Sequence, residues 1–503
     1  AGSAWKNSGT FDVGDSGSGM LTVADGGSVS SLNGYVGRSN GATGTVTVSG
    51  LGSVWENRRV LYVGNSGSGT LTVAGGGSVS ASTTYVGWNV GGTGTINIGA
   101  APGAAAAVAG KLETWTVQQF GAGTGTLNFN HTGATIFTAA LVSSGAGTHT
   151  LNHYAGVTTL TRDSSRFTGT TTVSGGTLLV GDAAGNGRLG GIVNVGANGT
   201  LGGSGTILGA TTIDGTLFAG NSPGTLTFAS DLTLSAGSHS VFELNGPGVV
   251  GGTGNDLVKV AGNLTLAGML DARVAAAGYY RLFDYGTRSG TFSGGTLTGT
   301  GGFTPATSLP DVQYGIAGQV NLSVLSSGQT MQFWDGSDNV GNGVIDGGAG
   351  TWSTAGTNWT GRPDEANING TFGGSVGVFA GSAGGVVSVA GTQSFDTLQF
   401  STDGYTLQSG ALAIGVAGGG TFNIDGGVST TVASAIENGA GSLLRKTGAG
   451  TLVLSGDNGY SGGTSLLGGV LQVSADANLG HASGGLTFDG GTLPTRASFD
   501  TAR

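Results

Sequence analysis

Residues 446–480 read KTGAGTLVLSGDNGYSGGTSLLGGVLQVSADANLG, and this stretch decides the fold. Apolar residues alternate with small polar ones in its short runs, as at Leu452 and Leu454 and again at Leu471 and Val473. Clusters of glycine separate these runs. Alternation with a period of two residues between turn signals predicts short strands that bury one face.

An earlier copy of the same unit lies between Phe167 and Val180. Its sequence, FTGTTTVSGGTLLV, aligns without a gap with YSGGTSLLGGVLQV at 460–473, aromatic for aromatic and Gly-Gly for Gly-Gly. A unit of this size cannot bury its apolar face without a neighbour stacked on it. The repetition therefore predicts a solenoid.

The first hundred residues carry another repeat, in which the valines of four similar segments serve as anchors. Val13, Val36, Val63 and Val86 are spaced by 23, 27 and 23 residues. Such a spacing suits one rung of two or three short strands, and rungs of about 22 residues predict about 20 or more of them. We expect three blocks, which are residues 1–130, residues 131–325 with a less regular, aromatic-rich end, and residues 326–503.

The 446–480 unit closely resembles the autotransporter-associated β-strand repeat of passenger domains in type V secretion. The matching positions include Lys446, the GAGTL at 448–452, Asn458, Tyr460 and the Gly-Gly-Thr at 462–464. Residues 217–245 and 333–360 also look like segments of such passengers. The resemblance implies an all-β, right-handed parallel β-helix at the bacterial cell surface or in the secreted fraction. It also implies that the membrane is reached only through a C-terminal β-barrel outside this chain.

Composition limits the function classes. The chain has 503 residues, with 108 glycines, 9% charged residues and a formal net charge of −10. No Lys/Arg cluster is available to neutralise phosphates, which argues against nucleic acid as a partner. There is no cysteine, so disulfides and thiolate metal ligands are excluded. Both ends of the chain fall inside repeat patterns, and we therefore expect a piece of a longer protein.

Two motifs invite a functional interpretation that the repeat context opposes. The GDSGSG at 14–19 resembles the nucleophile segment of a serine protease around Ser16, but GNSGSG occupies the equivalent frame at 64–69, which predicts a turn. The GGTGNDLVK at 251–259 fits a nonapeptide calcium repeat. Only one copy is present, whereas such calcium sites need consecutive copies.

A third motif places carboxylates at loop spacing. In DGSDNVGNGVID, residues 335–346, Asp335, Asp338 and Asp346 resemble ligands of an EF-hand, but Val340 stands where that loop requires glycine. We expect a hydrogen-bonded turn beside three tryptophans, with a cation as the alternative. The five scattered histidines predict ordinary surface or core positions, and they are His131, His149, His153, His239 and His481.

The interpretation that follows is a structural and interaction protein. We expect an adhesin, a self-association stalk or a display scaffold, whose partner is a receptor or glycan on a host or neighbouring cell, or a second copy of itself. The alternative is a polysaccharide-acting lyase or glycosidase that uses Asp335 and Asp346. No catalytic residue, cofactor or metal is predicted, and the sequence does not identify the ligand-binding residues.

Overall fold

The computed structural model describes residues 2–144, 146–221, 223–361, 369–373, 375–501 and 503. Almost all of the secondary structure in these residues is β-strand, as the glycine-punctuated alternation predicts. One turn of 3₁₀ helix, at Asp476–Leu479, is the helical element of the described chain. No helix among these residues has the length and apolar character that crossing a membrane would require.

Strands β1 to β27 are, in chain order, Ala4–Lys6, Thr10–Val13, Ser18–Val23, Ser28–Ser31, Asn33–Val36, Thr43–Ser49, Val54–Asn57, Val60–Val63, Ser68–Ala74, Ser78–Ser80, Thr83–Val86, Thr93–Gly99, Ala107–Val108, Lys111–Glu113, Thr116–Phe120, Thr124–Phe137, Ala140–Ser144, Thr148–Leu160, Asp163–Ser164, Thr170–Val173, Gly176–Val180, Arg188–Leu189, Ile192–Val195, Gly199–Gly203, Thr206–Ile207, Thr211–Ile213 and Thr216–Ala219.

Strands β28 to β53 are, in chain order, Thr225–Phe228, Leu232–Leu234, His239–Leu244, Leu257–Leu266, Met269–Val274, Gly278–Gly290, Gly294–Gly299, Asp311–Gln313, Gln319–Val324, Met331–Trp334, Gly350–Trp352, Trp359–Thr360, Val376–Phe379, Val386–Val389, Thr392–Phe395, Thr397–Phe400, Thr406–Gln408, Ala411–Ile414, Gly420–Ile424, Ser429–Val432, Ala435–Glu437, Leu444–Thr447, Thr451–Leu454, Thr464–Leu466, Val470–Gln472 and Leu486–Phe488.

Contacts divide the chain into two compact units. The first comprises Ala1–Val241, Val258–Met269 and Tyr285–Ser293, and the second comprises Phe242–Leu257, Leu270–Asp284 and Gly294–Arg503. The three sequence blocks at 1–130, 131–325 and 326–503 stay a prediction.

Each rung in the first part of the first unit adds one strand to each of three parallel sheets. These sheets run β1-β4-β7-β10-β14, β2-β5-β8-β11-β15-β17 and β3-β6-β9-β12-β16-β18. The anchor valines lie in register, Val36 opposite Val63 and Val63 opposite Val86, and all three are fully buried. Inward valines therefore form the predicted ladder, and each contributes about 1.5–3 kcal/mol by burial.

The second unit also stacks parallel strands. One sheet runs β37-β40-β43-β46-β49-β51-β53, a second runs β38-β41-β44-β47-β50-β52, and a third runs β42-β45-β48. Larger rings fill its core, with Phe379 and Phe400 stacked at 4.6 Å between centroids. The prediction of an all-β, parallel β-solenoid is confirmed, with about 20 turns. The right-handed sense of the coil stays a prediction.

Candidate functional site

The acidic turn that follows β37 brings three of the predicted site residues together. Carboxylate oxygens of Asp335, Asp338 and Asp346 all lie within 4.8 Å of one another. The turn starts where β37 ends at Trp334, whose indole N–H donates to the carbonyl of Gly348 at 2.9 Å. The sequence spacing therefore located a real cluster.

Hydrogen bonds hold this acidic turn in place. Asp335 is fully buried, and its carboxylate accepts from the backbone N–H of Asp346 and from the side-chain amide of Asn369, both at 2.9 Å. The amide of Asn342 donates to Asp338 at 2.9 Å and to Asp346 at 3.0 Å, which ties the two outer carboxylates together. Burial raises the pKa of Asp335, the two bonds from Asp346 and Asn369 oppose that rise, and the neighbouring carboxylates add to it.

The chemistry open to this acidic turn follows from that geometry. Three oxygens at this separation could share one hard cation, which prefers carboxylate and carbonyl ligands. However, the carboxylates already accept amide hydrogens, and the N–H of Val340, at the position where an EF-hand needs glycine, donates to Asp338 at 2.8 Å. The arrangement has the features of the hydrogen-bonded turn that the sequence predicts.

The tryptophans beside the acidic turn belong to the core. Trp334, Trp352 and Trp359 are fully buried, and their rings meet at steep angles with centroids 5.1 to 5.4 Å apart. A glycosidase needs aromatic faces and a pair of carboxyl groups that reach the substrate. Buried rings and a buried Asp335 argue against that use of this region.

The remaining predicted motifs serve local structure. Ser16 lies in an exposed turn, where its hydroxyl contacts only the carboxylate of Asp15, at 3.5 Å, among its described bonds. In the 251–259 segment, Asn255 donates to the carbonyls of Gly246 and Val249 at 2.8 and 2.6 Å. Asp256 is fully buried and accepts from the N–H of Glu243 at 2.8 Å. Both side chains thus close a local loop, and the oxygens that a calcium ion would need, those of Gly246, Val249 and Asp256, already accept hydrogen bonds.

Two of the histidines form a small buried network. The Nε2 atoms of His131 and His153 lie 2.8 and 3.1 Å from the hydroxyl of Thr158, and Nδ1 of His153 lies 2.8 Å from the carbonyl of Gly175. That carbonyl requires a donor, so His153 carries its proton on Nδ1 and accepts from Thr158 at Nε2. Burial lowers the pKa of His153 to about 4, so the ring stays neutral at physiological pH. These two histidines therefore pack in the core, with their Nε2 atoms and Nδ1 of His153 engaged by Thr158 and Gly175.

One surface feature was missed at the sequence level. Tyr35, Tyr62 and Tyr85 point outward from β5, β8 and β11 and stack face to face, with centroids 4.7 and 4.8 Å apart. We call this the tyrosine ladder. The sequence contains a signal for this column, because each tyrosine immediately precedes an anchor valine and so shares the valines' spacing of 27 and 23 residues.

Comparison with known proteins identifies the same repeats. The family described as Passenger-associated-transport-repeat matches residues 154–180 and 444–473, which are the two copies of the repeat unit. A protein from Brucella suis biovar 1 (strain 1330) named "Adhesin BmaC autotransporter" is 36% identical in an alignment that covers 80% of this chain. The chain carries the repeats of autotransporter passengers.

These repeats confirm the resemblance inferred from residues 446–480. Together with the Brucella relative, they support a location at the cell surface or in the secreted fraction. The chain spans only 12% of the length of the Brucella relative. The two matched segments correspond in the structure to the end of β18 with β19–β21, and to β49–β52. Strands within each match pair in parallel, residues 157–160 of β18 with β21 in the first, and β49 with β51 and β50 with β52 in the second. Each match therefore spans parts of two successive rungs of the solenoid.

Proposed function

We propose that this passenger solenoid is an adhesive, non-enzymatic surface element that binds a receptor or glycan on a host or neighbouring cell. The observation that carries the proposal is the identity of 36%, sustained over 80% of the chain, to a protein named as an autotransporter adhesin. An identity that extends over this much of a repeat array supports a shared kind of surface.

The outward face of the solenoid supports this proposal. Because the rungs stack, the same outward position recurs in every rung, about 4.8 Å from the last. A weak contact between one such side chain and a ligand can therefore be made several times along the face. The tyrosine ladder is such a column, and the guanidinium of Arg38 lies 4.7 Å from the ring centroid of Tyr35. Aromatic side chains joined to arginine are the residue types most enriched in binding surfaces. Avidity along a repeated face is therefore the mechanism that we propose.

The absence of catalysis is part of the proposal. Asp335, the carboxylate suggested for polysaccharide cleavage, is fully buried and cannot reach a glycosidic bond without rearrangement of its turn. Its neighbours within 4.8 Å are carboxylates bridged by Asn342. This arrangement gives no support to the alternative of a lyase or glycosidase.

Surface display tests the proposal. The chain is displayed on a non-adherent bacterial strain, and attachment to epithelial cells, to a glycan array and to bacteria that display the same chain is scored. The same strain with an empty display anchor is the control. We expect attachment or clumping above that control in at least one arm. Equal scores in all three arms, at a surface density verified by antibody labelling, would refute the adhesive function.

A further inference from the structure

A groove made of adjoining depressions crosses several rungs of the first unit. Three adjoining depressions of about 410, 270 and 560 Å³ share their lining residues, with Glu113 and Thr138 common to the first two and Arg162 common to the last two. We call this the Trp115 groove. The last two depressions present the charged and aromatic side chains that could contact a ligand, which are Glu113, Trp115, Arg162, Asp163, Asp182 and Arg188.

The groove forms where the strand pattern changes. Strand β14 pairs with β10 and is the last strand of its sheet. In the following rung the chain instead continues in β16, whose residues 134–137 pair with 157–160 of β18. The rung above β14 therefore supplies no strand to that sheet, and the space beside Lys111–Glu113 stays open.

Trp115 lies at the centre of this groove and is 68% exposed. The guanidinium of Arg162 lies 5.4 Å from its ring centroid, and the Nε–H of Arg162 donates to the carbonyl of Thr138 at 3.1 Å. This bond and the stacking hold both planar groups in place. A large aromatic side chain so exposed and yet held in position is a typical ligand platform.

The charged side chains that line the groove favour an uncharged ligand over a charged one. Lys111, Arg162 and Arg188 are balanced by Glu113, Asp163 and Asp182, so the lining has three positive and three negative groups. The chain as a whole carries a net charge of −10. A polyanion would gain little from this lining and would be repelled by the rest of the chain. An uncharged ligand with many hydroxyls matches it better, because carboxylates accept hydrogen bonds and guanidinium groups donate them.

We propose that the Trp115 groove binds an uncharged oligosaccharide, with one sugar ring against the indole of Trp115 and further hydroxyls bonded toward Asp182 and Arg188. The C–H groups on one face of a pyranose ring supply the apolar surface that stacks on the indole. The hydroxyls on its rim supply donors and acceptors for the charged side chains. This inference rests on the proposed adhesive function and names the ligand class and its site.

The test uses the full chain and defined probes. Binding of cellohexaose, maltohexaose and chitohexaose is measured by calorimetry, together with a heparin hexasaccharide and a poly-glutamate peptide as anionic probes. The variants are Trp115→Ala and Arg162→Lys, and Trp5→Ala is the matched control because Trp5 is 56% exposed and lies outside the groove. Circular dichroism and the thermal midpoint verify that every variant is folded.

We expect at least one uncharged hexasaccharide to bind, with affinity lowered about thirtyfold or more by Trp115→Ala, as for a central aromatic contact. Arg162→Lys should weaken binding as well, since lysine keeps the charge and loses the planar group, whereas Trp5→Ala should leave it unchanged. Three outcomes would overturn the inference. The first is that none of the three uncharged probes binds, and the second is that only the heparin or peptide probe binds. The third is that the wild type and Trp115→Ala bind the probe equally well.

The adhesion assay separates this inference from the proposed function. If the displayed Trp115→Ala chain adheres as the wild type does and no hexasaccharide binds, the groove is not the adhesive site, but the adhesive function stands. If the wild type fails to adhere to any target while the hexasaccharide binds in the groove, the adhesive function fails instead.

Discussion

The glycine at the corner after β8 offers a sharp test of how the rungs stack. Gly64 has a φ of +71°, and a Cβ built there would lie 2.1 Å from the carbonyl oxygen of Thr93 in the next rung. Gly41 has a similar φ of +78°, but nothing lies within 4 Å of its Cβ position. The pair therefore separates the effect of backbone conformation from the effect of close approach between rungs.

The magnitudes follow from these two effects. A side chain in the left-handed region costs about 1–2 kcal/mol, and this cost applies to both Gly64→Ala and Gly41→Ala. The clash with Thr93 requires a backbone shift between rungs, which adds about 1–3 kcal/mol to Gly64→Ala alone. We expect total losses of about 2–5 kcal/mol for Gly64→Ala and about 1–2 kcal/mol for Gly41→Ala.

Hydrogen exchange read by mass spectrometry measures these losses locally, on peptides that cover residues 36–49 around Gly41 and residues 60–74 around Gly64. The difference between the variants should appear as about 5- to 150-fold faster exchange in Gly64→Ala, since 1.4 kcal/mol corresponds to a factor of ten. Equal protection in the two variants, or lower protection in Gly41→Ala, would refute the account of rung packing at this corner.

Three further predictions concern buried charges and the tyrosine ladder. Burial lowers the pKa of Lys446 from 10.5 to about 7. The free energy of unfolding of the wild type should therefore rise by up to about 5 kcal/mol between pH 7 and 10.5. In thermal unfolding, Lys446→Met should show no such rise. Burial raises the pKa of Asp425 from 3.8 to about 7. Its contribution to stability is present at low pH and is lost as the pH rises through 7, so Asp425→Asn should stabilise the protein at pH 8 by up to about 4 kcal/mol, whereas the exposed Asp457→Asn should not. Tyr62→Ala removes the stacking contacts with two neighbours, so the free energy of unfolding measured in urea should fall by about 1–3 kcal/mol. Tyr35→Ala, at the end of the column, removes one such contact and should lower it by about half as much.

The fold could be predicted from the sequence because the signals for it are local. The spacing of Val13, Val36, Val63 and Val86 reports the length of a rung, and the structure stacks these valines in register. Alternation likewise predicts which side chains point inward. The acidic turn was located for the same reason, since its three carboxylates lie within twelve consecutive residues.

The contacts that complete these sites could not be predicted from the local pattern, because part of each set comes from residues far away in the chain. Asn369 reaches Asp335 from 34 positions away. Lys446 occupies an inward position of the alternation and is 1% exposed, and its ammonium donates to the carbonyls of Thr447, Gly448 and Gly468 at 2.8 to 3.1 Å. No sequence pattern indicates that three carbonyls converge on that point. The sequence therefore showed that Lys446 matches a position of the repeat, but not which groups its ammonium bonds.

The distribution of repeated and unrepeated side chains suggests where specificity lies in such a solenoid. Stacking favours like residues in one column, and Tyr35, Tyr62 and Tyr85 follow this rule until Gln118 takes the next place in register. Such a column stabilises the rungs and repeats a weak contact, but each of its members presents the same chemistry. Trp115 and Arg162 instead meet where a sheet ends at β14, so neither has a like neighbour to stack on. Because rung stacking alone does not require these two side chains, their combination is better explained by a ligand than by the fold.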